Sequence, residues 1–189
     1  MDFVLLFGPP AVGKMTIGYE LAARTGLKMM HNHMTIDLVR NFFPYGSEPF
    51  GRLVSKFRRR IMQEVAASDL PGLIFSYVWA LDEPADKDDV DAMCQIFRER
   101  GGNCWFVELA ASQATRLERN RTPFRLEQKV SKRDLERSER NLLELDQQYK
   151  MNSDGGFFYP ESYLKLETDG LSAAESAEQI IAHFGFQRI

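Results

Sequence analysis

The sequence has little of what metal, membrane or nucleic-acid proteins need. Its 189 residues hold only two cysteines and three histidines. Cys94 and Cys104 flank the Gly101-Gly102 turn without metal-ligand spacing, so reduced thiols in a cytoplasmic protein are expected. His31-Asn32-His33 lacks a third ligand at suitable spacing and makes neither a zinc site nor a nuclease motif. The N-terminal apolar run is too short for a secretory signal or membrane segment. A formal charge of −3 gives no general attraction to nucleic acid or an anionic membrane. No continuous basic stripe with interleaved aromatics accompanies it, so neither is an expected partner and any basic site must be local. There is no repeat or low-complexity tract.

What is present is an ordinary globular composition, 44% hydrophobic and 27% charged, enough for one good core. One stretch organises it. Gly8-Pro9-Pro10-Ala11-Val12-Gly13-Lys14-Met15-Thr16 reads G-x-x-x-x-G-K, the phosphate-binding loop. Phe3 to Phe7 before it suits a buried strand, and Ile17 to Arg24 after it reads as a helix stopped by Thr25-Gly26. In that context the backbone N–H groups of Gly8, Ala11, Val12, Gly13, Met15 and Thr16 can wrap phosphate oxygens, while Lys14 reaches the outer phosphates. The loop therefore predicts binding of a nucleoside triphosphate.

Along the chain, strands are expected at 27–31, 73–79, 103–109 and 163–167, and helices at 35–43, 86–100, 112–120 and from about 172 to Phe184, with Ser112 as a cap. Between Glu48 and Ala67, Phe50, Leu53, Val54, Phe57, Ile61 and Val65 share one helical face. On that wheel Arg52, Lys56 and Arg59 point away, and Arg58 and Arg60 sit at the edges, from which a long side chain can reach a cleft. Residues 121–159 are charged, contain a long helix from about Ser131 to Tyr149, and are too polar for the core. On that helix Leu135, Ser138, Leu142, Leu145 and Tyr149 form the inward stripe, leaving Arg133, Arg137 and Arg140 solvated. Strands alternating with helices predict an α/β fold. With the phosphate-binding loop, the expected form is a three-layer P-loop NTPase fold with a five-stranded parallel sheet, helices on both faces and a helical lid insertion. One domain, 1–189, carries acceptor-side helices at about 33–68 and a lid at about 121–159.

The chain resembles the P-loop kinases of small metabolites, the adenylate kinase and shikimate kinase group. Lys14-Met15-Thr16 is similar to adenylate kinases, which have a glycine between lysine and threonine. Asp37-Leu38-Val39-Arg40 resembles their Asp-x-x-Arg on the first acceptor-side helix. Leu117 to Arg125 resembles the arginine-rich start of the lid, and Leu166 to Ser172 the last-strand exit beside the adenine pocket. The resemblance implies a kinase that moves the γ-phosphate of ATP, with Mg²⁺, to a small metabolite or nucleotide. It implies Lys14, Arg121 and Arg125 as catalytic groups, Arg119 as the adenine neighbour, and Asp37 and Arg40 toward the acceptor; His33, at the C-terminal end of a strand, and Arg58, at the edge of its helical face, are further acceptor-side candidates. Arg116 is expected on a solvated helix face.

Two departures stand out. Met15 cannot give Mg²⁺ the hydroxyl found directly after the lysine in many P-loop proteins, which leaves Thr16 or water. The strand Leu73–Trp79 carries no acid where the family has one, and Asp82 and Glu83 just beyond it are either metal-orienting or plain solvent-loop residues. His33 is either an acceptor contact and proton acceptor or a structural hydrogen-bonder. A non-catalytic nucleotide-binding sensor is the alternative.

Overall fold

Phe3, Leu5 and Phe7 alternate with Val4 and Leu6 along β1 (Asp2–Phe7), and none of the five touches solvent. A strand buried on both faces belongs in the middle of a parallel sheet, and β1 lies there. The computed structural model, which describes residues 1–129 and 132–189, places five strands in one all-parallel sheet of order β2-β3-β1-β4-β5. The others are β2 (Lys28–His31), β3 (Gly72–Ser76), β4 (Asn103–Ala110) and β5 (Tyr163–Glu167). On one face, Phe3, Leu5 and Phe7 pack with Met62 and Val65 of α3 (Glu48–Ala66) and Val90, Cys94 and Phe97 of α4 (Pro84–Arg98). On the other, Val4 and Leu6 meet Ile17 and Leu21 of α1 (Lys14–Thr25) and Ile180 and Ile181 of α8 (Ala173–Phe184). Cys94 and Cys104 are buried free thiols. No described helix is long and apolar enough to cross a membrane.

The remaining elements are α2 (His33–Arg40), α5 (Gln113–Asn120), α6 (Pro123–Gln128) and α7 (Leu135–Gln148). Ser112 caps α5 as expected, accepting from the Thr115 N–H. Several boundaries differ from expectation. β3 ends at Ser76, opposite His31, rather than continuing to Trp79. Beyond the pairing the chain turns, and Trp79 swings into the core against Phe7, Phe106 and Phe157. The lid helix begins at Leu135, where the Asp134 side chain caps it through the Arg137 N–H; the expected start at Ser131 lies outside the described residues.

The expectation that 121–159 is too polar for the core fails at its returning end. Phe157 stacks on Phe7 and Tyr163, and Tyr159 stacks on Phe106. Glu108, wholly buried at the end of β4, accepts from Asn152 Nδ2, the Ser153 N–H and Tyr163 Oη, which fastens this segment to the sheet.

The buried face of α3 is rotated from the expected one. Phe50, Val54, Met62 and Val65 are buried, while Phe57 and Ile61 are 40% and 43% exposed. Arg58 therefore lies in line with Val54 and Met62 on the inner side, and Arg60 points outward to Glu64.

Candidate active site

The loop between β1 and α1 turns through residues that few side chains tolerate. Gly8 has φ +129°, and a Cβ there would lie 2.2 Å from the Leu109 carbonyl oxygen, so neither strain nor space admits another residue. Ala11, a non-glycine, is held at φ 63°, a conformation that persists only when its surroundings impose it. α1 starts at Lys14, which leaves its first-turn N–H groups without intrahelical partners at the loop. Lys14 Nζ donates to the carbonyls of Gly8 (2.5 Å) and Pro9 (2.7 Å). Burial, then the charges of Lys129, Arg125 and Arg116, hold its pKa well below the usual lysine range. Thr16 Oγ1 donates to the Gly13 carbonyl at 2.9 Å.

The loop forms one wall of a cleft of about 890 Å³. Its other walls are the start of α2, the inner side of α3, the end of β3 and the lid. Nine lysines and arginines line it, with Glu144 the one acidic residue among the described lining residues. None of the nine forms an ion pair with a described acid, whereas Arg24, Arg52, Arg60, Arg121 and Arg188 elsewhere are all paired. A chain of net charge −3 has gathered at one place nine cations without an ion pair to a described acid.

Arg119 is fixed at one end of the cleft. Its Nη1 donates to the Val12 carbonyl (3.0 Å) and Thr168 Oγ1 (2.9 Å), and its Nη2 to the Thr168 carbonyl (2.7 Å). This guanidinium joins the phosphate loop to the end of β5, beside the region expected to border adenine. Arg125, on α6, is buried with Nε donating to Asn120 Oδ1 of α5 at 3.1 Å. Burial lowers its pKa to about 10. Lys129 is pushed down to about 7, first by burial and then by Arg125 and Lys132. Lys132, lowered to about 8 by burial and by Arg125, Arg137 and Arg40, donates to Asn141 Oδ1 at 3.1 Å. Burial first, and then neighbouring cations for the two lysines, disfavour the charged forms, and an anion in the cleft would offset both.

The acceptor-side residues divide. Arg58 lines the cleft, with Nε donating to Thr35 Oγ1 (3.0 Å), Nη2 to Asn32 Oδ1, and the guanidinium over the Phe75 ring. Burial lowers its pKa. His33 and Arg40 line the cleft. Asp37 is not among its lining residues; it sits one turn from His33, with Oδ1 3.7 Å from His33 Nδ1. Burial lowers His33 and His31 to about 4 each, so both are neutral at neutral pH.

Three expectations are corrected. Arg121 lies outside the cleft, largely exposed and paired with Glu139 at 2.7 Å. Arg116 is not solvated: it is buried, and its two Nη atoms grip the Asp146 carboxylate, tying α5 to α7. Arg137 and Arg140 are exposed but line the cleft rather than the outer side of the lid, while Arg133 donates to the Leu126 carbonyl. Asp82 accepts from the Lys150 N–H and Glu83 precedes α4, and neither lines the cleft. Ser76 ends β3 at the cleft instead of an acid. Among the described residues no group of histidine, cysteine and acidic side chains is placed to hold a metal ion. Reading the sequence missed Lys129, Lys132 and Tyr77. The lysines follow no helical period, and Tyr77 was counted as strand.

The same fold recurs among solved structures. A shikimate kinase from Acinetobacter baumannii in complex with shikimate matches with TM-score 0.54 at 18% identity, over 96% of this chain and 92% of that one. A sugar kinase from a Janibacter species matches with TM-score 0.56 at 12% identity, over 98% and 95%. The tunicamycin resistance protein of Deinococcus radiodurans matches with TM-score 0.59 at 18% identity, over 100% and 98%. The chain has the shikimate-kinase-like P-loop fold. At such identities the likeness concerns the fold alone. No protein-family model matches the sequence, and no curated protein sequence matches it. For a shikimate-kinase-like chain, the cleft sits where open α/β sheets place ligands, outside the carboxyl ends of the strands.

Proposed function

We propose that the protein is a kinase that transfers the γ-phosphate of ATP to a small-molecule acceptor. The observation that carries this reading is the cleft itself. A strained phosphate loop with a buried lysine forms one wall, and the facing walls present cations that no described acid neutralises. Phosphoryl transfer asks chiefly for positioning and for neutralising charge on the moving group. Arg119 positions the base end. The loop N–H groups hold the β- and γ-phosphates of magnesium-complexed ATP. Lys14 leaves the Gly8 and Pro9 carbonyls for the phosphates, and Arg125 and Lys129 offset charge as the bond from γ-phosphorus to the β–γ bridging oxygen breaks. The acceptor oxygen attacks from the side of α2 and α3. If that oxygen is a hydroxyl, His33, neutral and beside Asp37, is the candidate to accept its hydrogen bond, a weak base at a pKa of about 4.

The test is ATP binding and turnover by the wild type and Lys14→Ala across nucleotides, nucleosides, sugars and hydroxy acids. Transfer to one of them that the variant loses by at least about 10²-fold supports the kinase. Equal ATP binding by the two proteins would sink the nucleotide site. One observation favours a second reading, a nucleotide sensor without transfer: Ser76 stands where an acid is expected. Tight ATP binding with no transfer to any acceptor would decide for it.

A further inference from the structure

Arg116 and Arg125 are both buried, and the groups that hold them differ by one charge. Arg116 meets a carboxylate. Its Nη1 and Nη2 donate to the two oxygens of Asp146 and its Nε to the Ala111 carbonyl, and it does not line the cleft. That guanidinium is neutralised and spent on joining α5 to α7. Arg125 meets an amide. Its Nε donates to Asn120 Oδ1 at 3.1 Å, and the side chain lines the cleft. Neither of its Nη groups has an acceptor among the described residues.

Asn120 closes α5 and is 1% exposed. Its Oδ1 also accepts from Ser138 Oγ, near the start of α7, at 3.0 Å, so one amide oxygen joins α5, α6 and α7. Arg125 Nε can only donate, so the oxygen must face it and the amide nitrogen must face away. There Nδ2 is buried without an acceptor among the described residues, a costly state for a donor. An aspartate would accept the same two hydrogen bonds, bury no orphaned donor and give Arg125 a counter-charge. It would also cancel a positive charge at the wall of the cleft. The amide orients Arg125 and leaves its charge whole.

We propose that Asn120 is a positioning residue for anion binding: it anchors Arg125 through Nε, leaves both Nη groups uncommitted, and by its neutrality keeps that guanidinium for the phosphates of the nucleotide. The identity of the anion rests on the kinase reading, whereas the anchor rests on the geometry alone. Through Ser138 the same amide sets the start of α7 against Arg125.

The test reads ATP affinity by equilibrium titration beside the melting temperature. Asn120→Asp should weaken ATP binding at least tenfold without lowering the melting temperature, because the new carboxylate pairs with Arg125. Asp146→Asn, the opposite exchange at Arg116, should lower the melting temperature and leave ATP affinity within twofold. Asn120→Ala should weaken binding at least threefold in the wild type and by less than twofold in an Arg125→Ala background, since its effect passes through Arg125. ATP affinity within twofold of wild type in Asn120→Asp would overturn the proposal. So would an Asn120→Ala loss as large without Arg125 as with it. If Asn120→Asp does not fold, the Asn120→Ala cycle decides alone. If the wild type binds no ATP, the kinase reading falls, and the same variants titrated with inorganic pyrophosphate decide the role of Asn120. A wild type that binds no pyrophosphate either would overturn that role as well.

Discussion

Anion binding to this cleft should take up protons from solution, and the amount follows from the two lid lysines. Lys129 titrates at about 7 and Lys132 at about 8. At pH 7.5 roughly three quarters of the first and one quarter of the second are neutral, so an anion that keeps both charged takes up about one proton. Sulfate is the cleanest probe because it stays doubly charged throughout. Calorimetric titration in two buffers of different ionisation enthalpy reads the proton count directly. Between pH 6 and pH 9 the affinity should fall by up to about 10³-fold, roughly 10² from Lys129 and 10 from Lys132. The groups facing these lysines are Arg125, Arg137, Arg40 and Asp37, and the nearby histidines are already neutral above pH 6. Lys129→Arg, which stays charged, should leave only the Lys132 share. An affinity that moves less than about threefold over the range, with no buffer dependence, would refute the reasoning that burial and neighbouring cations depress these lysines.

Other consequences are as direct. Arg125→Ala should weaken ATP binding at least tenfold by equilibrium titration, whereas Arg121→Ala, removing an exposed partner of Glu139, should leave it within threefold. Gly8→Ala sets a Cβ against the Leu109 carbonyl at a backbone angle unsuited to alanine, costing about 3 kcal/mol or more and lowering the melting temperature by roughly 6–12 °C. Glu108→Ala strips the acceptor from one buried and two half-buried donors and should cost about 3 kcal/mol in denaturant melts. His31 and His33 resist protonation to about pH 4 in the fold, while the unfolded chain binds protons below about pH 6.5, so stability should drop as pH falls through that window. A melting temperature flat from pH 6.5 to 4 would contradict it.

The sheet and the phosphate loop were legible because their signals are contiguous. Phe3 to Phe7 announces a two-sided strand, and Gly8 to Lys14 fixes the turn that follows. What sequence could not supply were orientations decided by distant partners. The wheel for α3 centred on Leu53 and Ile61, but Met62 reached the sheet and Arg58 found Asn32 and Thr35, turning the helix by a fraction of a turn. Arg116 looked solvated because Asp146 lies thirty residues away. Arg121 stood beside Arg125 in the same arginine-rich stretch, but a helix start at Pro123 and the pull of Glu139 sent the two apart.

Arg119 separates the two ends of the cleft in time as well as place. Its bonds to Val12 and Thr168 are made before any nucleotide arrives, so the roughly 2 kcal/mol of rotamer freedom in an arginine is already lost on folding. A base settling on that surface orders nothing further there. On the kinase reading, Lys14 at the other end exchanges two carbonyls for phosphate and the lid lysines regain protons, so the pH-sensitive part of association belongs to the phosphates. On that reading the base end of the cleft is set by folding alone, and the phosphate end by folding and pH together.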